Sequence, residues 1–153
     1  MKVIRCWRYF LFLLIFLLGM PIVQAKTILF VPQDDRPVSM ECVKDTIKAT
    51  GFTPLLPPEE WVASWDRKGD PDKLWQWVEE NSGQADALVL SADALIYGGL
   101  VDSRTHYFEE GVLKERLERF RTLQQKHSDT NIYIQHHYAF PKGQLPGRRT
   151  SVL

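Results

Sequence analysis

Lys26-Thr27-Ile28-Leu29-Phe30-Val31-Pro32-Gln33-Asp34-Asp35-Arg36-Pro37 is the stretch from which the fold is read. From Thr27 to Val31 the side chains are apolar or β-branched without interruption, so the segment has no polar face to give to water. That is the pattern of a strand covered on both faces, as in a parallel sheet, rather than the alternation of a half-exposed one. Pro32 to Pro37 then forms a polar turn that carries two carboxylates and a guanidinium at the strand's carboxyl end.

The same grammar repeats downstream. A helix is expected after Ser39, which can cap it, with Val43 and Ile47 on one face and Gly51 ending it. Phe52 to Leu56 reads as a second strand stopped by Pro57-Pro58, and Glu59 to Gly69 as an irregular aromatic stretch. Asp70-Pro71 is a helix start, a capping carboxylate followed by proline in the first turn, with Leu74, Trp75 and Val78 as the inward stripe. Ala87 to Leu90 is a third strand, from whose carboxyl end Ser91-Ala92-Asp93 emerges. The longest helix is expected from about Glu109 to His127, with Leu113, Leu117, Phe120 and Leu123 facing the core. Its outer face carries Glu110/Lys114 and Glu115/Arg119 at i,i+4 spacing. A fourth strand begins over Asn131 to Ile134. The fold class is therefore α/β: βαβ repeats forming a parallel sheet with flanking helices, either Rossmann-like or the first part of a (β/α)8 barrel, and incomplete. In both, strand ends and their turns share one rim.

Composition narrows the classes further. A chain of 153 residues with 44% hydrophobic and 25% charged residues is built to fold, which excludes disorder and collagen-like or coiled-coil architectures. Its first 25 residues, MKVIRCWRYFLFLLIFLLGMPIVQA, have a basic start, an apolar run from Tyr9 to Leu18, a Gly19/Pro21 break, and Val23 and Ala25 at −3 and −1 of a cleavage site. They read as a signal peptide and not a stable anchor, since spanning a bilayer takes ~20 apolar residues. Export to the periplasm, the envelope or the outside is the expectation. Without Lys2, Arg5 and Arg8, 16 basic side chains face 19 acidic ones. No basic stripe suits a nucleic acid. Cys6 leaves with the leader and Cys42 remains alone, expected as a small buried hydrophobe on the first helix.

The chemistry-bearing residues gather at expected strand ends. Asp34 and Asp35 follow the first strand and Asp93 the third, so these carboxylates are candidates to divide acid and base roles, as in glycoside cleavage, or to hold a divalent cation. The alternative is structural, with Asp35 paired to Arg36 and Asp34 forming an Asx turn. Tyr97-Gly98-Gly99 offers backbone amides to an anionic or sugar ligand, or a tight turn. Ser103 and Arg104 offer a polar, cationic contact. Trp61 and Trp65, in the irregular stretch, are candidate sugar platforms or loop anchors, whereas Trp75 is core. His136-His137 lacks the second ligand cluster of a metal site, and no glycine-rich nucleotide motif is present. The motifs specify no cofactor and no subunit number.

ILFVPQDDRPVS, then LLPP, then GDPDKLWQWVEENSGQADALVLSADALIYGGLVDSR, in this order and spacing, resemble the start of the bacterial domain of unknown function 4127 family. The resemblance covers roughly Lys26 to Tyr133 and brings no established reaction. It implies that Asp34, Asp35, Arg36, Asp93, Tyr97, Gly98, Gly99, Ser103 and Arg104 are site residues, because they match the family pattern. It also implies that residues 26–134 are the N-terminal part of a longer α/β domain. The expected parent activity is a carbohydrate-active hydrolase using strand-end carboxylates, with Arg36 or Arg104 positioning a carbohydrate or other small molecule. The alternative is a non-catalytic envelope or ligand-binding protein. A half-built sheet with an unpaired edge is expected to aggregate, be degraded, or be inactive.

The tail departs from the family pattern, which continues with a segment like F-x-T-I-M-R. Here Ile134 to Phe140 can be encoded as ATT CAA CAC CAT TAT GCG TTC. Read one base later, the same bases give Phe-Asn-Thr-Ile-Met-Arg. Residues 135–153 are thus expected to be an out-of-frame tail after a frameshift near Ile134. The gene's nucleotide sequence tests this: a +1 frame that continues the family pattern is the expected result, and one that does not makes the tail a genuine alternative terminus.

Overall fold

The computed structural model describes residues 26–136. The expected signal peptide and all but the first two residues of the expected out-of-frame tail lie outside the described residues.

Four strands form one sheet: β1 (Thr27–Val31), β2 (Thr53–Leu55), β3 (Ala87–Ser91) and β4 (Asn131–Gln135). The helices are α1 (Glu41–Ala49), α2 (Pro71–Asn81), α3 (Ala92–Tyr97), α4 (Asp102–Thr105) and α5 (Glu110–Lys126). Every pairing is parallel, in the order β2-β1-β3-β4. A (β/α)8 barrel adds its strands sequentially around a ring. Here the chain lays β2 on one side of β1 and then returns to lay β3 on the other, which makes the arrangement Rossmann-like and sets the barrel alternative aside. Right-handed crossovers in opposite directions place α1 on one face and the later helices on the other.

The continuous apolar runs account for the core. Leu29, Val31, Leu88 and Leu90 share one face of the central strands through the register Leu29↔Leu88 and Val31↔Leu90, and each is fully buried. They pack with Leu74, Trp75 and Val78 of α2, Leu95 of α3 and Leu123 of α5. The Trp75 indole N–H donates to the Leu95 carbonyl at 2.8 Å, so its one polar atom costs nothing on burial. Asp70 caps α2 as its sequence requires, accepting from the Lys73 amide at 3.1 Å with Pro71 in the first turn.

Three local expectations are corrected. Ser39 does not cap α1: Met40 holds the cap position without a side-chain bond, and the Ser39 hydroxyl serves Asp34 instead. Cys42 is exposed, because α1 turns Ile47 and not Cys42 inward. Ser91-Ala92-Asp93 leaves β3 directly as the cap and first turn of α3, with Ser91 Oγ accepting from the Ala94 amide at 3.3 Å. On α5, Leu117 points to solvent and Arg116 takes the inward place, 4% exposed. Its guanidinium donates to the Ile96 carbonyl (2.6 Å) and to Asp72 (3.0 Å) and lies over the Phe108 ring. A hydrophobicity pattern cannot reveal this, since the long side chain buries its stem while its head replaces water with a carbonyl and a carboxylate.

This packing gives a clear contrast. Leu88→Ala should cost about 2–5 kcal/mol of unfolding free energy, whereas Leu117→Ala should change it by less than ~0.5 kcal/mol. Urea denaturation of the two variants reads the difference, and equal losses would contradict the assignment of inward faces.

Candidate functional site

The strand order reverses between β1 and β3, and at such a switch point the two chains leave the sheet in opposite directions and open a crevice at their carboxyl ends. The turn after β1 runs along this rim. The Asp35 amide donates to the Ala63 carbonyl at 2.9 Å, tying the turn to the loop before α2. Beside this tie lies a cleft of about 290 Å3 lined by Asp34, Asp35, Arg36, Ala63, Ser64, Trp65, Leu100, Val101 and Asp102.

Asp34 is the most constrained of these residues. Arg36 donates to it from its backbone amide (3.2 Å), Nε (2.9 Å) and Nη2 (2.6 Å). Burial of the carboxyl works to raise its pKa. The hydrogen bonds from Arg36 and Ser39, with the charge of Arg36, outweigh burial and hold it below the ordinary carboxylate value. Asp34 is therefore a fixed anion that shapes the turn, and it is a poor general acid. The pairing partner anticipated for Arg36 was Asp35; the guanidinium goes to Asp34. That leaves Asp35 half-buried on the cleft.

Beside Asp34 and Asp35, a third carboxylate lines the cleft from a different chain segment. Asp102, at the start of α4, has a side chain only 13% exposed and lies 3.6 Å from Lys68 Nζ. Asp93 does not line the cleft. It sits at the carboxyl end of β3 as expected, but it is fully buried, and its Oδ1 lies 3.4 Å from His136 Nδ1 at the end of β4. Of the three expected carboxylates, Asp34 and Asp35 line the cleft and Asp93 does not, while Asp102 joins them there. The sequence signal for it is the DSR of YGGLVDSR, where Asp102 directly precedes Ser103 and Arg104.

The remaining candidates divide by how their polar atoms are used. The Gly98 amide donates to the Ala94 carbonyl (2.9 Å) and the Gly99 amide to the Asp93 carbonyl (3.2 Å), so both close α3. Gly98 has φ +98°, and a Cβ on the facing Gly69 would lie 2.0 Å from the Gly98 oxygen. A Cβ on Gly99 would meet that of Ala63 at 2.6 Å. The paired glycines thus let the 62–69 loop press against the end of α3, which builds the cleft wall. The Tyr97 ring lies tilted against His106 with centroids 4.6 Å apart, Ser103 Oγ donates to the Leu100 carbonyl at 2.8 Å, and Arg104 is exposed on α4.

The tryptophans separate in the same way. Trp61 packs against the core and anchors its loop. Trp65 is 93% exposed on the cleft. Its loop is braced by Arg67, whose Nη2 donates to the Glu59 (3.0 Å) and Val62 (3.2 Å) carbonyls, and by the Ser64 amide to the Arg67 carbonyl (2.8 Å). Keeping a large aromatic surface in water costs free energy that a flat apolar ligand face would recover.

The family described as "Protein of unknown function (DUF4127)" matches residues 28–137, more than half of the chain. The chain belongs to this family. Neither the curated proteins nor the solved structures contain a significant match. The DUF4127 motifs named from sequence map onto the cleft and its supports: the DDRP turn forms one wall, GDPD starts α2 behind the braced loop, and YGGL-x-x-SR closes α3 and opens α4. Among the described residues, no helix is long and apolar enough to cross a membrane, and no three His, Cys, Asp or Glu side chains gather as a metal set.

The Asp34 pairing predicts a pH signature. A carboxyl whose folded pKa is depressed adds stability that is complete above its unfolded value, near 3.8, and is lost as pH falls through the folded pKa. Asp34→Asn should therefore be less stable than the parent chain at pH 7, with the gap shrinking below pH 3.8. Urea unfolding across that range measures it, and a gap independent of pH would rule out the ion pair as its source.

Proposed function

We propose that the DUF4127 domain of this chain is an exported hydrolase of a carbohydrate, with its sugar seated on Trp65 and its chemistry carried by Asp35 and Asp102. The observation that carries the reading is one braced cleft holding an exposed tryptophan beside two carboxylates from separate chain segments. Stacking on an indole face suits the apolar face of a pyranose. Two carboxylates from different segments are the minimum for dividing acid and base roles across a glycosidic bond. Asp35 enters the cleft from the turn after β1 and Asp102 from the start of α4, so one can serve as acid and the other as base or nucleophile. Arg36, half exposed beside the cleft and held by Asp34, supports the reading as a donor for sugar hydroxyls. The leader supports export.

One observation favours a second reading. The Asp34–Arg36 pair satisfies itself inside the turn, as an architectural motif would, and a non-catalytic ligand-binding protein would need no more than the Trp65 cleft.

Variants of a family member that aligns with this chain separate the two. Replacing the residue matching Asp35 or Asp102 by Asn should lower glycan turnover by about 10²–10⁴-fold with binding retained. Replacing the one matching Trp65 by Ala should weaken oligosaccharide binding about tenfold, ~1.4 kcal/mol. Reducing-end release and calorimetry read these effects. Unchanged turnover in both carboxylate variants overturns the hydrolase reading, and binding that is indifferent to the tryptophan overturns both.

A further inference from the structure

The two edges of the sheet are treated differently by the sequence. β2 is three residues long, contains Pro54 and is followed by Pro57-Pro58, so it offers little free ladder to another strand. Among the described residues the other edge is β4, five residues of Asn131-Ile132-Tyr133-Ile134-Gln135 with no proline, glycine or charge. Tyr133 is 61% and Ile134 52% exposed, on opposite faces of the strand. On the α5 side, Ile132 and Ile134 line an open groove of about 350 Å3 with Phe120 and Arg121.

The order of residues in β4 says what fits there. Asn-Ile-Tyr-Ile-Gln reads nearly the same in both directions about Tyr133. Laid antiparallel on itself, it sets Tyr133 against Tyr133, Ile132 against Ile134, and Asn131 against Gln135. No charge opposes a like charge, and each side chain meets one of its own kind, which is the self-complementarity that a two-fold contact requires. A two-fold axis normal to the sheet also keeps both α5 helices on the same face, so the four isoleucines form a continuous row beneath the two grooves. We propose that this chain forms a two-fold dimer through antiparallel β4–β4 pairing centred on Tyr133, which joins two four-stranded sheets into one of eight strands.

The register makes the test specific. Directly opposed residues of an antiparallel pair have Cα atoms about 4.5–5.5 Å apart, within disulfide range. Residues at position 131 of the two copies would be offset by roughly 14 Å along the strands. In the full chain carrying Cys6→Ala and Cys42→Ala, Tyr133→Cys should cross-link into a covalent dimer under mild oxidation, and Asn131→Cys should not. Light scattering should give twice the mass of one chain, and Tyr133→Lys should reduce it to one with unchanged circular dichroism. A dimer formed through the apolar leader would not discriminate position 133 from position 131. The proposal is overturned by a single-chain mass at micromolar concentration, by open-ended aggregation, by equal cross-linking at the two positions, or by a folded Tyr133→Lys variant that stays dimeric.

Discussion

The parallel ladder between β1 and β3 is the constraint on which the rest of the molecule depends. Pairing Ile28 to Val31 with Ala87 to Leu90 buries Leu29, Val31, Leu88 and Leu90 in one layer and leaves no room for β2 except on the far side of β1. The chain must then exit the two central strands in opposite directions. The DDRP turn and the start of α3 come out beside each other for that reason, at the one place in an open sheet where a crevice forms without any loop having to be hollow. Burial drives the ladder and the crevice follows from topology.

What fills the crevice is set by close backbone approach. The loop from Val62 to Gly69 reaches the end of α3 because Gly69, Gly98 and Gly99 present no Cβ to one another or to Ala63. Arg67 closes that loop onto its own carbonyls, and the Asp35 amide fastens it to the turn after β1. Arg116 braces the same end of α3 from behind through the Ile96 carbonyl. Trp65 is consequently held in water by a stiff frame, with Asp35 and Asp102 beside it. The Asp34–Arg36 pair stabilises the rim without offering the cleft a titratable group, so the turn divides its two neighbouring carboxylates between structure and solvent.

The fold was legible because it rests on local rules that agree with one another. Uninterrupted apolar strands, the Asp70-Pro71 helix start and the Gly51 stop each name an element, and all were found where the sequence put them. The site was legible in part. The rim position of Asp34 and Asp35 follows from the end of a buried strand, and so did that of Asp93. Whether a strand-end carboxylate faces a cleft or the interior depends on the next few backbone angles, and α3 begins so abruptly after β3 that Asp93 is carried inward. Asp102 and Arg116 escaped for the opposite reason. Their positions depend on contacts between segments 34 to 44 residues apart, Asp102 with Lys68 and Arg116 with Asp72, which no periodicity encodes. Trp61 and Trp65, four positions apart in one loop, could be separated into anchor and platform only by the packing of that loop.

The most direct measurement of the central claim is a two-dimensional NMR titration of the labelled chain with soluble oligosaccharides. The account predicts that the Trp65 indole signal shifts together with the amides of Asp35, Ser64 and Asp102, while the Trp75 and Trp77 indoles stay in place. Shifts that gather elsewhere on the molecule, or none with any glycan, would contradict a carbohydrate site at the β1/β3 rim.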